Sequence, residues 1–190
     1  TSNLIYVFAD LAGHPDATCF VRLLGVFIYM FALSLTVILP KFTRLHLPYV
    51  SLFIDAMATL IVAFLPSDLN DFIALYPLYF AMAIQWCSFK GGDGFTCSTI
   101  FSTNNLRQFT TSMTEYLFSI VPDALRKWKC FASVLLCFHF GVIISYLSCK
   151  NFGHTGSLVC FLPVFSGFCL VWTRKHFVAV KHFVYNYLIT

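Results

Sequence analysis

Two short polar motifs in an otherwise apolar chain carry the side chains best suited to bind a ligand. Thr1–Ser2–Asn3–Leu4 and Thr103–Asn104–Asn105–Leu106 each place a hydroxyl and an amide two residues apart, ahead of an apolar or amphipathic segment. Threonine or asparagine at the start of a helix caps free backbone N–H groups. Two such starts that meet inside a membrane would also form a partly positive pocket for an anion or the carboxylate of a zwitterion. Capping alone, and capping combined with ligand binding, both stay open.

Three more polar side chains are candidates for the same site. Asp55 lies in the middle of an apolar run, where a carboxylate needs a partner or a proton, so it is either a proton or cation site or a structural hydrogen bond. Gln85 lies in another apolar run, where an interhelical hydrogen bond is a sufficient explanation. Thr99 precedes the second motif. The predicted substrate-binding residues are therefore Asn3, Asp55, Gln85, Thr99, Thr103 and Asn105.

The chain lacks the residue patterns typical of enzymes and metal sites. It contains no legible Ser-His-Asp, Cys-His or paired-carboxylate set, and its eight cysteines include no Cys-x-x-Cys pair. The run Gly91–Gly92–Asp93–Gly94 lacks the Gly-Lys-Ser/Thr of a nucleotide loop, so we expect a flexible turn there. These observations predict a protein that is not an enzyme and that holds no metal and no cofactor.

The composition indicates where such a chain must lie. Of its 190 residues, 59% are hydrophobic, 18% are aromatic and only 11% are charged, whereas soluble domains carry about 25% charged residues. So few charges cannot cover the surface of a small soluble domain, so a lipid bilayer is the expected partner. The net charge of +4 is no sign of nucleic-acid binding, and none is expected. The composition does not predict an oligomeric state.

Apolar runs of the length needed to cross a bilayer as helices predict an all-α, polytopic transmembrane bundle. The predicted spans are Phe20–Leu39, Pro48–Leu65, Phe72–Phe89, Cys130–Cys149 and His154–Trp172. The region Lys90–Lys129 is too polar for an ordinary span. If the segment Thr103–Val121 within it dips into the membrane and returns, ten basic residues share one side and only Arg22 and Lys150 lie on the other. The positive-inside rule favours that arrangement and places the C-terminus in the cytoplasm.

The same order of elements follows each Thr-x-Asn motif: a short helix, a polar link, a span, a tight turn and a second span. The link after the first short helix is acidic (Asp10 and Asp16), whereas the link after the second is basic (Arg126, Lys127 and Lys129). Equivalent links of opposite charge predict an inverted repeat, as in many secondary transporters. We divide the chain into a first repeat (1–71) whose opening span is missing, a second repeat (72–172) and a basic, aromatic cytoplasmic tail (173–190).

The stretch Phe80–Leu106 resembles the second conserved block of the YoaK-like family of integral membrane proteins, known as domain of unknown function 1275. That block has a small-residue stretch ending in Gln, a glycine-containing turn, a Thr and then Thr-Gly-Asn-Leu; Gln85, Thr99, Thr103, Asn105 and Leu106 match it. Asn104 replaces the Gly and Trp86 replaces an Asn. The first motif resembles the family's first Thr-Gly-Asn block. The resemblance covers nearly the whole chain, implies an N-terminally truncated member of an integral membrane family, and implies no established activity.

The sequence thus leads to two hypotheses about function. The first is a multi-pass, transporter-like membrane protein that holds a small polar or anionic solute at a midplane site between the two Thr-x-Asn helix starts. The second is a non-transporting scaffold or assembly subunit, in which the same polar residues only hold helices together. Substrate, direction and coupling ion do not follow from the sequence.

Overall fold

The computed structural model describes residues 2–13, 17–66 and 68–188, with side chains described for 4–13, 17–66 and 68–174. The described chain is nearly all helical, with one short hairpin. Its elements are α1 (Ser2–Ala12), α2 (Ala17–Phe42), α3 (Leu47–Ala63), α4 (Asp71–Ala74), α5 (Tyr76–Ser88), β1 (Gly91–Gly92), β2 (Phe95–Thr96), α6 (Ser102–Ser119), α7 (Pro122–Phe152), a 3-10 helix (Gly153–Cys160) and α8 (Phe161–Leu188).

Helices α2, α3 and α7 correspond to three of the predicted spans, and a 3-10 helix followed by α8 corresponds to His154–Trp172. The prediction of one continuous helix over Phe72–Phe89 is wrong. The structure divides this segment into the four-residue α4 and the thirteen-residue α5. Proline has no N–H to donate and disfavours a helical conformation in the residue before it. Pro77 therefore stands in the first turn of α5, and Asn70 caps α4 by accepting from the Phe72 amide at 2.9 Å.

An apolar core that includes two small alanine side chains joins α2, α3 and α5. Ala32 on α2 and Ala83 and Ile84 on α5 are fully buried, and Ile54 of α3 packs against them. Small side chains let helix backbones approach closely. The 3-10 helix and α8 add to this core through α3, and α6 packs on α7.

Within the part of the chain that the structure describes, two helical stretches are long and apolar enough to cross a membrane. They are Ala17–Phe42, with mean hydropathy 2.3, and Pro122–Arg174, with mean hydropathy 2.1, which joins α7, the 3-10 helix and the start of α8. Only 17% and 11% of their most apolar windows are buried inside the protein. A core helix of a soluble protein is buried on most of its surface, so these values are not typical of one.

The glycine-rich run forms a β-hairpin, which the prediction of a flexible turn did not include. Asp93 and Gly94 form its two-residue loop and both have positive φ (54° and 83°), as tight hairpin turns require. Gly91 has φ 137°, and a Cβ there would lie 2.0 Å from the Phe95 carbonyl oxygen, so only glycine fits.

Residues 89–121 leave and rejoin the same end of the bundle. Arg126, at the start of α7, donates to Asp93 of the hairpin loop at 2.9 Å. Phe101, the residue before α6, contacts the Trp86 ring of α5 with a centroid distance of 5.2 Å. Helix α6 therefore begins beside α5 and delivers the chain back to the end at which α5 finished.

The ends of the bundle separate the charged residues into two groups. At one end, where α3 begins and α5 finishes, His46, Lys90 and Arg174 border one cavity. At the other end, where α3 finishes, the His154 ring lies 3.1 Å from the Leu65 carbonyl oxygen, and Arg22 lies over the Phe72 ring.

Candidate functional site

The second Thr-x-Asn motif is built around a buried asparagine. Asn105 is only 2% exposed, and its Oδ1 accepts from the Ser98 amide at 3.1 Å while its Nδ2 donates to the Ser98 carbonyl oxygen. Ser98 Oγ in turn accepts from the Phe101 amide at 3.0 Å. The side-chain amide therefore holds the loop that leads into α6 rather than capping that helix.

The prediction that the motif caps α6 is therefore wrong in detail. The residue that precedes α6 is Phe101, and no described side chain caps the start of the helix. Thr103 lies in the first turn with an exposed side chain, and Thr99 is exposed in the preceding loop. Serine, threonine and asparagine bond to nearby backbone in several local geometries, and here the loop geometry prevails over the cap.

The remaining predicted site residues are dispersed. The side chain of Asn3 lies outside the described residues, although its backbone belongs to α1. Asp55 is half-buried on α3 and interacts with Ser51 one turn earlier, a contact that falls short of a well-formed hydrogen bond. Gln85 is half-buried on α5. Among the described residues, no hydrogen bond joins any two of these candidates.

A cavity of about 200 Å³ lies beside the starts of both short helices. It is bounded by α1, α2, α5 and the residue before α6. The described residues that line it are Leu4, Arg22, Gly25, Val26, Tyr29, Tyr79, Met82 and Phe101. Leu4 belongs to the first Thr-x-Asn motif, and Phe101 immediately precedes the helix that contains the second. None of the described predicted site residues lines this cavity.

Arg22 is the charged group at the cavity. Its Nη1 donates to the Asp10 carboxylate of α1 at 2.7 Å, and its guanidinium carbon lies 4.8 Å from the Phe72 ring centroid and 5.6 Å from that of Tyr6. An arginine has five N–H donors in a planar fork, so one bonded carboxylate oxygen does not exhaust it. The cavity thus presents a cation held in place by two aromatic rings.

Two tyrosines supply the rest of its polarity. The hydroxyl of Tyr29 is buried and has no hydrogen-bond partner among the described residues. Buried polar groups in proteins are almost always satisfied, so an unpaired hydroxyl beside a cavity points to water or ligand there. Tyr79 lies against Gly25, where a Cβ would come within 3.0 Å of its ring, so glycine makes room for that ring. The arrangement suits a small molecule with an apolar body and a polar or anionic end.

Sequence reasoning missed this set of residues for identifiable reasons. In the sequence, Arg22 stands out only as one of the two basic residues predicted to lie apart from the other ten. Asp10 lies twelve positions earlier in the chain, a separation that no single helix periodicity relates. An arginine at the edge of an apolar run was the signal that could have drawn attention to it, because such a charge needs a partner.

The structure defines a nearly all-α protein with helices long and apolar enough to cross a membrane. A family model described as "Protein of unknown function (DUF1275)" matches residues 1–171. The chain belongs to this family, as the resemblance of Phe80–Leu106 predicts. No curated protein and no solved structure matches the chain.

Proposed function

We propose that the chain is a multi-pass integral membrane protein. Five helical segments, α2, α3, α4–α5, α7 and the 3-10 helix with α8, would run between the two charged ends of the bundle. Their exposed residues include large hydrophobic side chains such as Phe27, Phe53, Leu136 and Leu162, which water solvates poorly and lipid accommodates. The end that carries Lys90, Arg126 and Arg174 would face the cytoplasm.

We infer further that this protein is transporter-like and takes a small solute with a polar or anionic end into the cavity beside Arg22. The observation that carries the proposal is the position of that cavity between the starts of α1 and α6. The inverted repeat over residues 1–71 and 72–172 belongs to the same proposal. It is supported by one shared packing feature: each short helix packs on the long helix that follows it, α1 on α2 and α6 on α7.

A scaffold or assembly role, without transport, is the second candidate. The observation that favours it is the structural use of Asn105, whose amide is occupied by the backbone of Ser98. In both candidates the protein is not an enzyme.

Binding of benzoate to the purified protein tests the solute proposal, with uncharged benzamide as the matched ligand. We expect benzoate, but not benzamide, to raise the melting temperature of the wild-type protein. Asp10→Asn removes the competing carboxylate and should strengthen benzoate binding, whereas Arg22→Gln should abolish it. Uptake of labelled benzoate into proteoliposomes then separates transport from binding alone.

The scaffold candidate predicts a different pattern. Neither ligand would change the melting temperature of any variant. Arg22→Gln and Asp10→Asn would both lower stability modestly, because each breaks the same ion pair, and proteoliposomes would show no uptake.

A further inference from the structure

A second cavity, of about 460 Å³, lies at the opposite end of the bundle from Arg22. It is formed where α3 begins, α5 ends and α8 passes through residues 171–174. The residues that line it are His46, Pro48, Ser88, Phe89, Lys90, Gly91, Val171 and Arg174. This cavity shares no residue with the one beside Arg22.

Positive charge converges on this cavity without compensation. The two cations Lys90 and Arg174 and the imidazole of His46 come from three separate segments of the chain, and all three side chains are exposed. None of the lining residues is acidic, and no described carboxylate forms an ion pair with Lys90 or Arg174. By contrast, Arg22 is paired with Asp10, and Arg126 with Asp93. The N-terminus of α3, which begins just after His46, adds a partial positive charge of its own.

The apolar part of the lining suggests what kind of anion belongs there. Pro48, Phe89 and Val171 lie in the same cavity as the basic groups. Phe168, one turn before Val171 on α8, packs edge-on against Tyr49 at 5.6 Å. A free phosphate ion would use only the basic groups, whereas a phospholipid would use both the charges and the apolar wall. Basic pockets between membrane helices at the cytoplasmic boundary are suited to anionic head groups.

We propose that this cavity binds the phosphate group of an anionic phospholipid, with Lys90 and Arg174 as its principal contacts and His46 as a third. The proposal rests on the membrane location argued above but not on transport or on the solute cavity. The phosphate would lie at the level where α3 begins and α5 ends. The acyl chains of the phospholipid would run along the exposed apolar surface of α8.

The test measures how phosphatidylglycerol changes the melting temperature of the full chain, purified in a neutral detergent. Phosphatidylcholine serves as the zwitterionic lipid without net charge, and glycerol 1-phosphate as the soluble phosphate. The test variant is Lys90→Gln with Arg174→Gln. The control variant, Lys127→Gln with Lys129→Gln, removes the same charge from the same end of the molecule without touching the cavity.

We expect phosphatidylglycerol to stabilise the wild-type protein and phosphatidylcholine to have little effect. Each cation near a phosphate is worth about a fivefold change in affinity, so the test variant should bind about 25-fold more weakly. The control variant should bind as the wild type does. Arg174→Lys, which keeps the charge at that position, should retain most of the wild-type affinity, and this result would attribute the loss in the test variant to the removed charge.

The outcomes separate the sources of the phosphate. If glycerol 1-phosphate stabilised the wild-type protein and the test variant lost that effect, the same residues would bind a soluble phosphate as the occupant. An equal loss in the test and control variants would overturn the proposal, since it would indicate diffuse attraction of anions to a basic surface. An absence of any difference between the two lipids would also overturn it. None of these results depends on benzoate, so this proposal can fail while the solute proposal stands.

Discussion

At the scale of single residues, the side-chain amide of Asn105 pairs with the backbone of Ser98 as the backbone of a neighbouring strand would. It satisfies both the N–H and the carbonyl of one buried backbone unit. Loops need such partners when they are withdrawn from solvent, because an unpaired buried backbone group costs about as much as a lost hydrogen bond. One asparagine therefore lets the chain leave the hairpin and begin α6 inside the bundle.

Asn105→Ala should lower the free energy of unfolding by about 1–3 kcal/mol, because it leaves the Ser98 backbone unpaired. Thermal unfolding in detergent measures this loss. Asn104→Ala is the matched control, since Asn104 is exposed and its Oδ1 accepts from exposed Arg107 at 3.2 Å. This variant should change stability by less than about 0.5 kcal/mol. If Asn105→Ala kept full stability but lost benzoate binding, Asn105 would be a ligand-binding residue after all.

Sequence reasoning identified Asn105 as important but could not assign its role. Helix capping and loop bonding use the same side-chain atoms, and only the loop conformation decides between them. For the exposed Arg126, by contrast, the sequence does not predict the partner. Its hydrogen bond to Asp93 and that carboxylate's charge raise the pKa of the guanidinium, yet the two residues lie 33 positions apart and no local pattern relates them.

At the scale of elements, the 3-10 helix is held against α7 at a distance that only glycine permits. A Cβ on Gly156 would lie 2.5 Å from the carbonyl carbon and oxygen of Ser148. The Ser148 hydroxyl donates to the Gly156 carbonyl oxygen at 2.9 Å. Ser157 extends the contact by donating to the Thr59 carbonyl oxygen of α3 at 3.2 Å. The 3-10 helix thus connects α7 to the core.

Gly156→Ala should destabilise the protein by about 1–3 kcal/mol, because the added methyl must push the 3-10 helix away from α7. Gly141→Ala tests whether any added methyl on α7 would do the same. Gly141 lies in the exposed middle of α7 with nothing within 4 Å, so alanine there should leave stability unchanged or raise it. Equal melting temperatures for the two variants would contradict the close contact.

Most helices were predictable because long apolar runs leave the backbone few alternatives. The elements that were missed depend on single residues. Pro77 divides one predicted span, and Asp93–Gly94 converts a predicted flexible turn into a hairpin. The Asp-Gly dipeptide is a known hairpin signal, but the flanking residues Gly92 and Phe95 lack the alternating pattern of strands.

At the scale of the whole molecule, the proposed topology makes the two ends of the bundle chemically distinct to a membrane-impermeant thiol reagent. In a chain whose native cysteines are replaced, Asp68→Cys should be labelled in intact cells, because the link between α3 and α4 would lie outside. Lys127→Cys should be labelled only after the cells are made permeable. Lys41→Cys, from the same end as Lys127, is the control and should behave as Lys127→Cys does. Identical labelling of Asp68→Cys and Lys127→Cys would contradict the topology.

The contact between Asp93 and Arg126 also affects the direction in which the later helices run. In a chain that crosses a membrane repeatedly, the direction of each helix follows from whether an odd or an even number of crossings precedes it. In the proposed topology, α6 would bring the chain back to the end at which α5 finishes, so it would add nothing to that number, and α7 would run opposite to α5. Arg107 and Glu115 make a crossing by α6 costly. Replacing both with leucine would favour such a crossing, and one added crossing would reverse α7, the 3-10 helix and α8 together.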